Sequence, residues 1–326
     1  MINFAVIGTS NITFEFVSAA LRTGRFNLAA VYSRTIQKGQ EFAEKFGCDK
    51  VYTSLTDLAN DKTITAVYVA SPNALHYEQS KFLLENGKNV ISEKTITSNA
   101  DEFLELKKVA DKGNVIIMDA IMSRHSVNRE KIIEGIKKIG NINLARIDFS
   151  KLSARYFTYI AGKDENIFNM KLGAGALTDI GVYCVYAAVD LFGMPKNITA
   201  KTNFLRDGAD GSGVVLFDYG NFDAVLTYGK VSQSGIGSEI LGDNGTVVIG
   251  SISQFDDIKL IIDGRTETLC APTDKVEIMM GEAIAFANYI ENKELFADEY
   301  QDVTNLTHNV LICLDVIKNK ANIKYN

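Results

Sequence analysis

Lys94, Asp179 and Tyr183 are the side chains in this sequence whose types and settings could move a proton. Lys94 follows Asn89-Val90-Ile91-Ser92-Glu93, a run with the texture of a buried strand that ends on a charged pair. In an open parallel sheet, ligands lie outside the carboxyl ends of the strands, so a lysine there faces a cofactor or substrate. The competing reading is an ordinary surface lysine. Asp179 and Tyr183 stand four residues apart, and on a helix they project from one face. Ala176, Ala187 and Asp190 share that face and Gly181 lies near it, which leaves room for a ligand. A carboxylate and a phenol so placed can share a hydroxyl group, although a satisfied buried acid beside a core tyrosine has the same spacing. The three residues suit the oxidation of an alcohol, in which a base takes the hydroxyl proton as hydride leaves, and equally its reverse.

Such residues need a scaffold, and the first third of the chain supplies repeated strand and helix patterns. Residues 2–7 form an apolar run ended by Gly8, and 12–21 place apolar residues at helical spacing. Against the G-x-G-x-x-G phosphate fingerprint the chain reads Gly8-Thr9-Ser10-Asn11-Ile12-Thr13, keeping the first glycine alone. Small residues there still admit a pyrophosphate to a helix N-terminus, where free N–H groups and the helix dipole favour an anion. A second strand, 28–33, ends Tyr32-Ser33-Arg34-Thr35, with Lys38 one turn on. NAD sites place an acid at this point for the ribose; an arginine among hydroxyls suits a 2′-phosphate and points to NADP, with NAD the alternative.

The alternation continues through a helix near 54–58, strand 66–70, helix 74–85, strand 89–92, helix 100–112 and strand 115–118. A doubly wound parallel sheet is the economical answer. Ser71-Pro72-Asn73 falls at the carboxyl end of the 66–70 strand, and His76 on the next helix either borders the cofactor or packs locally. The cofactor-binding candidates are therefore Gly8, Thr9, Ser10, Asn11, Ile12, Ser33, Arg34, Lys38, Ser71, Pro72, Asn73, His76, Glu93 and Lys94.

Past Asp119 the texture changes. Helix 124–138 is followed by strand candidates at 144–150, 198–204, 213–219, 222–228, 238–241, 246–249, 258–262 and 267–270, with turn signals such as Tyr219-Gly220-Asn221 and Asp243-Asn244-Gly245. These predict a large, mostly antiparallel sheet. Helix 174–191 interrupts it, and helices 277–291 and 304–318 close the chain. We expect a nucleotide-binding domain at 1–121 and an α/β substrate and dimerisation domain at 122–326, with helix 304–318 packing back on the first. Val215, Phe217, Phe222 and Leu226 suggest an apolar sheet face that joins two copies of the chain in a homodimer. Arg124, His125 and Arg155 are candidates for lining the substrate pocket.

The 326 residues suffice for two cores. A net charge of -6 and the absence of a lysine and arginine cluster argue against a nucleic-acid partner. Cys48, Cys184, Cys270 and Cys313 are far apart and lack nearby histidines, so they read as buried thiols rather than a metal site or disulfides. No segment has the continuous apolar run of a membrane span, and a cytoplasmic location is expected.

With these motifs assembled, the chain resembles the Gfo/Idh/MocA oxidoreductases, specifically the branch of glucose-fructose oxidoreductase and dimeric dihydrodiol dehydrogenase. The resemblance rests on Ala30-Val31-Tyr32-Ser33-Arg34, Ser71-Pro72-Asn73 with His76, Ser92-Glu93-Lys94, and Gly173-Ala174-Gly175-Ala176-Leu177-Thr178-Asp179-Ile180-Gly181-Val182-Tyr183. It implies an N-terminal Rossmann domain, a C-terminal α/β domain with a large open sheet, and NAD(P)-dependent hydride transfer on a carbohydrate-like hydroxyl or carbonyl. It places the family's motif lysine on Lys94 and the helix acid and phenol on Asp179 and Tyr183. Thr95 stands where the motif has proline, and Ser10 where the fingerprint has its second glycine. Two other activities fit the same fold: a lyase or glycosidase that oxidises its sugar transiently and recycles the nicotinamide, and a silent NADP-binding regulator.

Overall fold

All but one of the residues of β1 (Ile2–Ile7) are buried, as a strand covered on both faces requires. After it come α1 (Asn11–Arg22), β2 (Phe26–Tyr32), α2 (Ile36–Ala43), β3 (Val51–Tyr52), α3 (Leu55–Asn60), β4 (Ala66–Val69), α4 (His76–Glu85), β5 (Asn89–Glu93), α5 (Ala100–Gly113) and β6 (Ile117–Ala120). The computed structural model describes residues 1–163 and 165–324. The six strands are parallel, in the order β3-β2-β1-β4-β5-β6. This is the expected doubly wound sheet, and its order reverses between β1 and β4. β3 was not anticipated, because two residues leave no period to read.

The chain divides into two compact units, Met1–Ile121 with Lys275–Asn305, and Met122–Asp274 with Leu306–Asn326. It is thus α9 (Lys275–Glu291) and the start of α10 (Ala297–Ala321) that group with the first unit, rather than helix 304–318. Side chains explain the return. Arg25 donates to Asn288 Oδ1 at 2.6 Å and pairs with Glu291, and Lys275 bonds Glu15 at 2.5 Å. The Tyr300 hydroxyl receives the Ile117 N–H and donates to the Ile117 carbonyl, at 3.2 and 3.0 Å.

α9 also carries a buried acid. Glu282 is 1% exposed, and among the described residues nothing hydrogen-bonds either carboxyl oxygen. Burial, then the negative charges of Glu93 and Asp119 against the opposing Lys275, holds its proton on well above the ordinary carboxylate range. The folded state therefore binds a proton that the unfolded chain releases above about pH 4.5, and the protein loses stability as pH rises from there toward the raised folded value. Glu282→Gln keeps the shape and removes the titration. We expect its melting temperature to match the parent near pH 4 and to exceed it at pH 8, by the equivalent of about 1–3 kcal/mol. Parallel melting curves across that range would disprove the buried-acid account.

In the second unit, α6 (Asn128–Lys138), β7 (Ile142–Ser150) and α7 (Tyr156–Ile160) precede α8 (Val182–Phe192), and β8 (Asn197–Phe204), β9 (Asp210–Asp218), β10 (Asp223–Gly229), β11 (Ser238–Gly242), β12 (Thr246–Ser251), β13 (Asp256–Ile262) and β14 (Arg265–Cys270) follow. The eight strands run β14-β13-β12-β11-β7-β10-β9-β8 and pair antiparallel except β7 with β10. Val215, Phe217 and Leu226 do not form an exposed face; they are buried, and the alternation puts Val214 and Leu216 outside instead. Segment 170–192 is long and apolar enough to span a bilayer, but most of its apolar stretch is buried within the structure, where α8 packs on the sheet. All four cysteines are buried free thiols.

Candidate active site

A parallel sheet sends every strand's carboxyl end to the same edge, so four of the expected segments leave the first unit side by side, in the spatial order β2, β1, β4, β5. After β1, Gly8 turns with φ of +107°, and a Cβ there would lie 2.5 Å from the Ala70 carbonyl oxygen. Only glycine makes that turn. Ser10 begins α1 without a side-chain cap; its hydroxyl lies 3.1 Å from that of the buried Thr13. The first-turn N–H groups of α1 are thereby left for an anion, which is the fit a pyrophosphate needs. After β2, Ser33 is buried and the Thr35 N–H reaches its oxygen at 3.4 Å, while Arg34 and Lys38 are exposed.

Lys94, half-buried, is the residue directly beyond β5, and the Lys94–Thr95 peptide is cis. His76 braces this backbone. Its ring is fully buried, with Nδ1 2.9 Å from the Thr95 carbonyl and Nε2 2.7 Å from the Ser71 carbonyl. Burial lowers its pKa, against the two carbonyls that favour the charged ring. His76 therefore ties the loop after β4 to the one after β5 rather than opening a nitrogen to solvent. Ser71 and Asn73 are half-buried and Pro72 is exposed. Behind Lys94, Glu93 accepts the Tyr68 hydroxyl at 2.5 Å, and the Tyr68 ring stacks on Phe16 at 3.9 Å between centroids. Desolvation raises the Glu93 pKa, opposed by Lys94 and by the Tyr68 bond.

In the second unit, Asp179 lies in a π-helical turn, Leu177–Gly181, that runs into α8. The expected helix thus begins with an over-wide turn, a distortion common at functional sites. Its start is held by Asp210, a fully buried carboxylate on β9 that accepts the Leu177 N–H at 2.5 Å. The Thr178 hydroxyl donates to the Gly173 carbonyl at 2.9 Å. Gly181 lets the turn approach β10, since a Cβ there would meet the Tyr228 ring at 2.8 Å. Tyr183 is 8% exposed and meets Phe149 edge to face at 5.6 Å, whereas the Asp179 side chain is 41% exposed.

Asp190 is held in a two-pronged bond by Arg129, at 2.7 and 2.9 Å, with Arg124 at 3.7 Å. His125 is half-buried, and desolvation with the charges of Arg124 and Arg129 pushes its pKa down to about 3, so its ring is neutral. Arg155 stays on the surface, 3.7 Å from Glu165. Two residues escaped the sequence reading: Asp210, and Lys230, a buried lysine whose Nζ pairs with Asp179. Each adjoins a glycine at a strand end, a signal too common to single them out.

Two family models match the chain: the oxidoreductase family with an NAD-binding Rossmann fold over residues 2–120, and the GFO/IDH/MocA C-terminal domain over residues 132–248. Along 308 residues the chain is 37% identical to an NADP(+)-dependent scyllo-inositol 2-dehydrogenase of Bacillus subtilis (strain 168), covering 94% of each. The chain belongs to the Gfo/Idh/MocA oxidoreductase family. Within that family it is also 29% identical over 276 residues to a trans-1,2-dihydrobenzene-1,2-diol dehydrogenase of Xenopus tropicalis, covering 82% of this chain and 81% of the other. Its fold is shared by a 3-ketoreductase from Actinomadura kijaniata crystallised with TDP-benzene and NADP, with a TM-score of 0.83, 22% identity and 98% of each chain covered. This Gfo/Idh/MocA member is thus an enzyme of the dehydrogenase and reductase class, with the Rossmann and mostly antiparallel sheets that its sequence predicted.

Proposed function

We propose that this oxidoreductase exchanges a hydride between NADP(H) and a hydroxyl or keto group of a sugar, cyclic polyol or diol, with Lys94 and Tyr183 in proton transfer and Asp179 orienting the substrate. The observation that carries the reading is the common edge of the parallel sheet, where Arg34, the Gly8 turn, His76 and Lys94 follow one another across the point at which strand order reverses. The relatives support the chemistry. Those named above take scyllo-inositol and a dihydrodiol, and a further one, 29% identical over 221 residues, is an NADP(+)-dependent D-xylose 1-dehydrogenase of Haloferax volcanii.

The residues around Gly8 and the N-terminus of α1 would hold the pyrophosphate, and Ser33, Arg34 and Lys38 the 2′-phosphate; the bound nicotinamide supplies or accepts the hydride. In reduction, the Lys94 ammonium stabilises the negative charge that develops on the carbonyl oxygen, and the Tyr183 phenol delivers the proton. In oxidation the Tyr183 phenolate takes the hydroxyl proton, and the Lys94 ammonium stabilises the negative charge that develops on the oxygen. Asp179 accepts a hydrogen bond from a neighbouring substrate hydroxyl, which fixes the ring about the reacting carbon. To test the reading, NADP and NAD are each mixed with the pure protein and scyllo-inositol, D-xylose or a trans-diol, and reduced cofactor is followed by absorbance. Steady formation with NADP is expected; cleavage of a sugar without net cofactor change would establish the lyase activity instead.

A homodimer is also proposed, with the outer face of β9, where Val214 and Leu216 are exposed, as its contact surface. Light scattering should give twice the chain mass for the parent and a monomer for the double change Val214→Lys and Leu216→Lys; a monomeric parent removes the idea. The buried free thiols suit a reducing compartment, and we place the protein in the cytoplasm.

A further inference from the structure

Lys230, one residue beyond β10, is a lysine in an unusual place. Its side chain is 4% exposed, and its Nζ pairs with Asp179 Oδ2. The same Nζ donates to the Ile167 carbonyl at 3.1 Å and lies 5.3 Å from the centre of the Phe168 ring. The backbone is fixed as well: the Lys230 N–H donates to the Gly211 carbonyl and its own carbonyl accepts from the Ser153 N–H, each at 2.9 Å. A buried ammonium is costly unless its protons are satisfied, and here a carboxylate, a carbonyl and an aromatic face surround it.

The partner makes this more than a core ion pair. Asp179 keeps 41% of its side chain open to solvent, whereas the lysine is enclosed. An ion pair that served the core alone would enclose both ends. This one anchors a solvent-facing carboxylate from behind, on a strand end held by two backbone hydrogen bonds. It also ties that carboxylate to the 166–172 segment, through the Ile167 carbonyl and the Phe168 ring. That segment, with Tyr159, Glu165 and Asp207, lines a cleft of about 330 Å³.

We propose that Lys230 is a positioning residue for substrate hydroxyl recognition: it sets the direction of the Asp179 carboxylate and couples it to the 166–172 segment. This rests on the reading of Asp179 as the group that orients the substrate. The carboxylate stands on a π-helical turn, a distortion frequent at functional sites, and Lys230 holds it there from the neighbouring strand end. With Lys230 in place, Asp179 offers a fixed acceptor to a neutral polyol hydroxyl. Without it, the carboxylate loses its buried partner and the substrate ring its fixed acceptor.

The test compares Lys230→Met, Lys230→Arg, Asp179→Asn and the double variant Lys230→Met with Asp179→Asn. In steady-state assays with scyllo-inositol and NADP, Lys230→Met should raise KM about 10- to 100-fold, the worth of a hydrogen bond to a charged group, with a smaller fall in kcat. Lys230→Arg, which can still pair with the carboxylate, should recover most of the loss. The double variant should be no worse than Asp179→Asn, because a residue that acts through Asp179 has nothing left to position. Additive losses, or an unchanged KM in a folded Lys230→Met protein, overturn the proposal. Hydrogen exchange supplies a readout that needs no substrate: amides of 166–181 should exchange faster in Lys230→Met than in the parent or Lys230→Arg, and equal rates overturn the strut outright. Failure of the functional reading would appear separately, as a parent enzyme without turnover on any hydroxyl substrate.

Discussion

Replacing Lys94 by alanine lowers turnover by about 10²–10⁴-fold, the usual contribution of a positioned proton-transfer group, while NADPH still binds with close to the parent affinity. The expectation follows from where the lysine stands. It is the residue directly beyond β5, half-buried, between a Thr95 carbonyl held by His76 and a Glu93 side chain held by the Tyr68 hydroxyl. The elements that suit the pyrophosphate, the Gly8 turn and the N-terminus of α1, do not include it. Loss of a reacting-group contact then appears in kcat, whereas loss of a binding contact appears in the dissociation constant. Fluorescence titration with NADPH and single-turnover kinetics separate the two. If the alanine variant lost cofactor affinity in proportion to rate, Lys94 would be a cofactor anchor and its proton-transfer role would fall.

The second large effect concerns cofactor choice. Arg34→Glu should reverse the preference for NADP over NAD, changing the ratio of kcat/KM values by about 10- to 100-fold or more, since charge-assisted hydrogen bonds to a phosphate are replaced by repulsion. Arg34 is exposed just past β2, at the position where an acid would bind the unphosphorylated ribose, and Lys38 is exposed one turn further along. Because both cations face water, the NADP preference should also weaken as ionic strength rises, whereas affinity for NAD should change little. A variant that keeps its preference for NADP would place the 2′-phosphate elsewhere.

Much of the fold was legible in the residues because its strands follow simple periods. β1, β4 and β5 are covered on both faces and read as short apolar runs, and the eight strands of the second sheet alternate between turn signals. The local site motifs were legible for a related reason: a glycine with φ of +107° or a lysine just past a buried strand is a local requirement that a local pattern can carry. The exposed sheet face was misread by one residue, Val215 for Val214, because a period of two assigns faces only once register and covering helices are known.

By itself, then, the sequence determined the two sheet classes, the βα order of the first unit, and the identity of Lys94, Asp179 and Tyr183 as the groups to follow. Tertiary structure alone decided which residues stand behind them. Lys230 is 51 positions from Asp179 in the chain, Glu282 is buried with Glu93 and Asp119 only because α9 returns to the first unit, and Asp210 caps Leu177 from a strand that follows it. None of these pairings leaves a period or a motif. Each is a buried charged or polar group whose partner is fixed by long-range packing, where the cost of desolvation selects the contact and sequence distance has no bearing on it.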